Sequence, residues 1–115
     1  MSSVGLIGFG RFGKIMGNIL SPDFTVKVFD CDINECSEDN IEVASLESVS
    51  AETTIFISVP IRQFKNVIME ISDLVQPGTT ILDVCSVKVY PATVMTETLP
   101  ENIGIITTHP LFGPD

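Results

Sequence analysis

A short apolar run, Val4 to Gly8, leads directly into Gly8-Phe9-Gly10-Arg11-Phe12-Gly13, and a helical stripe follows at once. Phe12, Ile15, Met16, Ile19 and Leu20 recur at the spacing of one helix face until Ser21-Pro22 stops the pattern. A G-x-G-x-x-G string alone says little, but between a strand and a helix each glycine has a task. Gly8 permits the tight turn, Gly10 lets a pyrophosphate approach the backbone, and Gly13 lets the helix lie close to the sheet. The amino terminus of the helix would then offer N–H groups and a partial positive charge to phosphate. Asp30 closes the next predicted strand, Phe24 to Phe29, where an acid is expected to accept from the adenosine ribose hydroxyls. Two structural alternatives stay open: a glycine turn needed only for packing, and an aspartate that caps its own loop. The intervening residues Phe9, Arg11 and Phe12 are counted with the three glycines as the cofactor turn.

The remainder alternates in the same manner. Residues 30–42 form a polar, acidic connection, and Ile41 to Ala44 is a short third strand. Thr54 to Val59, rich in β-branched residues and ended by Pro60, is a fourth. Phe64, Val67, Ile68, Ile71 and Val75 form one helical stripe, closed by Pro77-Gly78. Thr79 to Val84 is a fifth strand, a helix follows from about Pro91 to Leu99-Pro100, and Ile103 to Thr108 is a sixth strand. Strands separated by helices indicate βαβ units on a parallel sheet, and the longer break after the third strand fits a doubly wound Rossmann-type order, 3-2-1-4-5-6. The whole chain, 1–115, reads as one dinucleotide-binding domain of α/β class. Its chemistry is expected at the carboxyl ends of strands 1, 4, 5 and 6, in the turns after Gly8, Val59, Val84 and Thr108.

Charge narrows the partners. Six basic against fifteen acidic residues leave a net −9, which argues against nucleic acid or an anionic membrane surface as a partner. No stretch approaches the roughly 18 unbroken apolar residues of a membrane span. The opening segment carries five glycines, Arg11 and Lys14. It is therefore not expected to be a signal peptide. Cys31, Cys36 and Cys85 are odd in number and fit no zinc spacing, so reduced thiols, a cytoplasmic location and no metal are expected. The same charge bears on the cofactor. No Lys or Arg stands between Lys27 and Arg62, whereas Asp30, Asp32, Glu35, Glu38, Asp39 and Glu42 crowd one loop. A carboxylate about 5 Å from one phosphate charge costs roughly 3 kcal/mol at an effective dielectric near 20. NAD is therefore expected over NADP.

The later turns hold candidates for the reaction. Asp83-Val84-Cys85-Ser86-Val87-Lys88 follows strand 5, and Thr108-His109-Pro110-Leu111-Phe112-Gly113-Pro114 follows strand 6. With those strands adjacent, Ser86 and His109 would emerge together at the cofactor edge. An imidazole titrating near pH 6.5 can accept a proton as hydride departs. Equally, Ser86 could cap the next helix and His109 could bond locally.

Four segments in this order, GLIGFGRFG, FISVPI, DVCSVK and THPLFGP, resemble the cofactor domain of prephenate and arogenate dehydrogenases, the plant and cyanobacterial arogenate type most of all. The resemblance covers essentially the whole chain, and the last two segments are far more specific than the glycine string. It implies oxidative decarboxylation of prephenate or arogenate on the route to tyrosine. His109 would then draw the proton from the substrate C4 hydroxyl, and Ser86 would orient His109. Lys88 would belong to the same motif, while Ser58, Val59 and Pro60 would form a turn against the cofactor. Plant arogenate dehydrogenases generally favour NADP and carry Ser/Arg-type residues where this chain has Asp30. Members of the family continue into a helical domain that completes the substrate pocket and forms a homodimer. The resemblance therefore implies either a fragment of a longer two-domain protein or a natural short relative, and by itself such a cofactor domain is expected to bind NAD but to turn over poorly, if at all. Two other classes stay open on sequence: a non-catalytic NAD-binding module, and another NAD(P)-dependent dehydrogenase of the β-hydroxyacid or imine-reductase kind.

Overall fold

Apolar residues on both faces of the central strands force those strands inside, and the chain achieves this with one six-stranded sheet. The computed structural model describes residues 2–30, 40–83, 95, 97–100 and 102–107. The elements are β1 (Ser3–Ile7), α1 (Arg11–Leu20), β2 (Thr25–Phe29), β3 (Ile41–Val43), α2 (Leu46–Ser50), β4 (Thr54–Ile57), α3 (Ile61–Ile71), β5 (Thr80–Asp83) and β6 (Gly104–Thr107). The sheet order is β3-β2-β1-β4-β5-β6, as the spacing of strands predicts, and every pairing is parallel.

Alternation along the strands divides the core into two layers. Val4, Leu6, Phe9, Met16, Val26, Val28 and Ile41 pack on the α1 side. Ile7, Ile55, Ile57 and Ile81 pack on the other side against Val49, Phe64, Ile68, Ile71, Met95 and Leu99. β1 feeds both layers and is buried from Val4 to Ile7, the sandwiched strand its sequence suggests.

Two elements differ from the sequence reading. The break after β3 contains a five-residue helix, α2, started by Ser45, whose hydroxyl accepts from Ser48 N–H at 3.1 Å. It is too short to show a helical period, yet it fits closely against β1: a Cβ at Gly5 would stand 2.8 Å from the Val49 side chain. The second deviation is the end of α3. The apolar stripe extends to Val75, but the helix stops at Ile71, and Leu74 and Val75 both donate to the Ile71 carbonyl in a closing turn. Val75 packs on the core from that turn, so its apolar character reflects burial without helix. Only Met95 and residues 97–100 of the predicted helix near Pro91 are described; Leu99 N–H donates to the Met95 carbonyl at 3.0 Å, a helical bond. Cys31, Cys36 and Cys85 lie outside the described residues. No helix among the described residues is long and apolar enough to cross a membrane, and none of their His, Cys, Asp and Glu clusters could hold a metal ion.

A polar network sits beside the amino-terminal end of β1. Lys27 Nζ lies 2.9 Å from Glu52 Oε2, and Ser3 Oγ donates to Glu52 Oε1 at 2.6 Å. Burial alone would raise the Glu52 carboxyl, but the Ser3 hydrogen bond and then the hydrogen bond and charge of Lys27 outweigh it and hold the carboxyl below 4.5. The Lys27 ammonium is raised above 10.5, first by its hydrogen bond to Glu52 and then by that charge. A lowered carboxyl stabilises the fold above its unfolded value and loses that contribution as pH falls through the folded one; the raised ammonium does so below its unfolded value and loses it as pH rises. Glu52→Gln should therefore cost about 1 kcal/mol at pH 7, with the deficit shrinking towards pH 3. Thermal unfolding followed by circular dichroism checks this; an equal deficit at both pH values contradicts it.

Candidate functional site: the glycine turn between β1 and α1

The turn is shaped by what cannot fit. Gly8 has φ +97°, in the left-handed region that side chains rarely adopt, and a Cβ there would strike the Ser58 carbonyl oxygen. A Cβ at Gly13 would strike the Gly8 carbonyl oxygen, so the first turn of α1 lies directly on the end of β1. Gly10 is the opposite case, because a Cβ there would meet nothing within 4 Å among the described residues. Two glycines are thus required by contact with protein, and the third faces open space.

That space adjoins the amino end of α1. Gly10 is the N-cap and supplies no side-chain acceptor, and the first turn has no acidic residue. The first intrahelical bond runs from Lys14 N–H to the Gly10 carbonyl at 2.9 Å. By helix geometry the amides of Arg11, Phe12 and Gly13 have no acceptor inside the helix. Donors and a partial positive charge therefore converge where Gly10 leaves room, which suits a phosphate.

The turn is also anchored from behind. Gly8 N–H donates to the Phe29 carbonyl at 2.8 Å, and Ser58 N–H donates to the Ile7 carbonyl at 2.8 Å. Phe9 N–H donates to Asp30 Oδ2 at 2.6 Å. The Phe9 side chain is 6% exposed and lies in the α1-side core, so this residue serves the turn through its backbone. Asp30 itself is half-buried at the end of β2. The glycines, Asp30 and Ser58-Val59-Pro60 thus stand at one edge of the sheet, as the sequence predicts. The bond from Phe9 to Asp30 was not legible: an acid at the end of β2 reads as a ligand acceptor, and no sequence signal marks its second partner.

Ser86, Lys88 and His109 lie outside the described residues. What is described is the pair of strands that precede them. β5 and β6 are neighbours, with Asp83 opposite Thr107 in register.

Residues 9–115 match the family model of the prephenate dehydrogenase nucleotide-binding domain. The chain belongs to this family. Arogenate dehydrogenase 1, chloroplastic, of Arabidopsis thaliana is 27% identical over 130 residues, covering 97% of this chain and 19% of its own length. A probable arogenate/prephenate dehydrogenase of Methanocaldococcus jannaschii is 34% identical over 80 residues, covering 70% of this chain and 17% of its own length. The chain thus spans about a fifth of each of these curated relatives. Among solved structures, prephenate dehydrogenase from A. aeolicus in complex with hydroxyphenyl propionate and NAD+ has a TM-score of 0.78 at 21% identity, over 100% of this chain and 43% of that one. A putative oxidoreductase from Mycobacterium avium has a TM-score of 0.80 at 24% identity, over 96% of this chain and 42% of that one. At such identities the likeness establishes the fold. The glycine turn therefore sits in a nucleotide-binding domain of prephenate dehydrogenase type, at the strand ends where this fold places its ligand.

Proposed function

We propose that the chain is the NAD-binding part of an oxidoreductase that oxidatively decarboxylates prephenate or arogenate. The observation that carries the cofactor reading is the open face of Gly10 beside the uncapped amino end of α1, with Asp30 one strand away. The amides of α1 and the backbone at Gly10 would hold the diphosphate, and Asp30 would accept from the adenosine ribose. Ser58, Val59 and Pro60 would bound the site on the β4 side. NAD, when bound, supplies the hydride acceptor.

The proton is the task of the chain's own residues. His109, the one histidine in the sequence, takes the proton of the substrate C4 hydroxyl, and Ser86 orients it. Lys88 adds a positive charge at the same rim. The register of β5 and β6 supports this arrangement, since Ser86 follows Asp83 by three positions and His109 follows Thr107 by two. Loss of CO2 and aromatisation of the ring drive the reaction forward, so the protein has to align the substrate and accept one proton. A cytoplasmic location, and a homodimer formed through a helical partner domain, belong to the same proposal.

NAD is favoured over NADP on charge. Asp30 would bring a carboxylate to the ribose, and the one base on β2, Lys27, is already engaged by Glu52. Calorimetric titration of the protein with each dinucleotide should give a tighter Kd for NAD, by up to about a hundredfold at low salt. Comparable constants for the two would overturn the preference, and failure of both to bind would overturn the cofactor reading itself.

A further inference from the structure

The glycine turn is fastened to β2 by two consecutive amides. Gly8 N–H reaches the Phe29 carbonyl, a main-chain bond that any residue at position 29 provides. Phe9 N–H reaches Asp30 Oδ2 at 2.6 Å, and that bond depends on a single side chain. Residue 9 is therefore held at both ends, with its ring in the core and its amide on a carboxylate. A charge-assisted bond of this kind is shorter and stronger than a neutral one. Immediately after it come Gly10 and α1, the part of the turn that faces open space.

We propose that Asp30 is a positioning residue for the glycine turn, its carboxylate clasping the Phe9 amide so that Gly10 and the amino end of α1 stand preformed for a diphosphate. The clasp is a property of the protein without ligand; its effect on binding rests on the dinucleotide reading above. The two roles of Asp30 are compatible in kind, because a carboxylate offers about four acceptor positions and can serve more than one donor. The consequence is specific. Removing the side chain weakens even a nucleotide that has no ribose hydroxyls, because the turn must then be ordered at the moment of binding.

The test compares the wild-type chain with Asp30→Ala and Asp30→Asn. Amide hydrogen exchange at Phe9 is read without ligand, and Kd is measured for ADP and for 2′,3′-dideoxy-ADP. Asparagine retains a side-chain carbonyl that can accept from Phe9 N–H, so it should rescue the clasp. Asp30→Ala should speed Phe9 exchange and weaken dideoxy-ADP, each by about tenfold. Asp30→Asn should stay within about threefold of wild type in both. Unchanged dideoxy-ADP affinity in Asp30→Ala would mean that the carboxylate serves the ribose alone, and would overturn the proposal. If neither nucleotide binds the wild type, the dinucleotide reading fails and the exchange rates decide the clasp: acceleration in Asp30→Ala supports it, and no change overturns it.

Discussion

Gly13→Ala is expected to destabilise the domain by about 3 kcal/mol, lowering the thermal midpoint by about 12 °C in a chain of this size. The added methyl would stand well inside van der Waals contact with the Gly8 carbonyl oxygen, and at 3.0 Å from the Gly8 carbonyl carbon. Both obstacles are backbone, so no rotamer change can relieve the clash. Either α1 lifts from the sheet, opening its side of the core, or β1 shifts at Gly8, which already lies close to the Ser58 carbonyl. Nucleotide affinity should be lost with the same change, because the amides of α1 move with the helix.

Gly10→Ala supplies the contrast that separates packing from ligand binding. Its φ of −78° and ψ of −153° are extended, and its Cβ would meet nothing within 4 Å among the described residues. Stability should therefore stay within about 1 kcal/mol of wild type, while the dinucleotide weakens by about tenfold or more because the methyl occupies its approach. Thermal melts and titrations on the two variants check the pair. A Gly13→Ala midpoint within a few degrees of wild type, or a Gly10→Ala affinity equal to wild type, would contradict the assigned roles.

These contrasts also mark how far the sequence could be read. Strand order was legible because buried parallel strands are short β-branched runs, and Ile55, Ile57 and Ile81 must lie inside wherever the sheet forms. The glycine string was legible because its tasks are steric, and the contacts at Gly8 and Gly13 are the ones that the spacing demands. α2 escaped because five residues hold little more than one helical turn, and only Ser45 hints at a start. Val75 misled because the stripe reports burial, and a closing turn buries a side chain as well as a helix does. Asp30 was found as a ligand candidate, but its bond to Phe9 depends on the register in which β1 and β2 pair, which no local pattern encodes. Ser86 and His109 came into view together through the adjacency of strands 5 and 6, whereas Lys88 was added only by motif resemblance, because a lone lysine in a turn carries no pattern of its own.

The proton-transfer assignment yields the other large effect. In a protein that joins this chain to a substrate-binding domain of the proposed kind, His109→Asn should lower kcat by about 10²- to 10⁴-fold, the range a positioned general base contributes. Asparagine keeps hydrogen-bonding capacity but cannot take the C4 hydroxyl proton. The Kd for NAD should stay within about twofold of wild type, because the proposed site for the dinucleotide is the turn between β1 and α1, on another part of the sheet from β6. The split between kcat and cofactor affinity is what discriminates. A structural histidine would lose both together through a disturbed β6 end, whereas a base removed from an intact site loses only turnover. Kinetics at saturating NAD, paired with titration of the same variant, reads the two quantities separately. Unchanged turnover would remove His109 from the mechanism, and a parallel loss of NAD binding would reassign it to the fold.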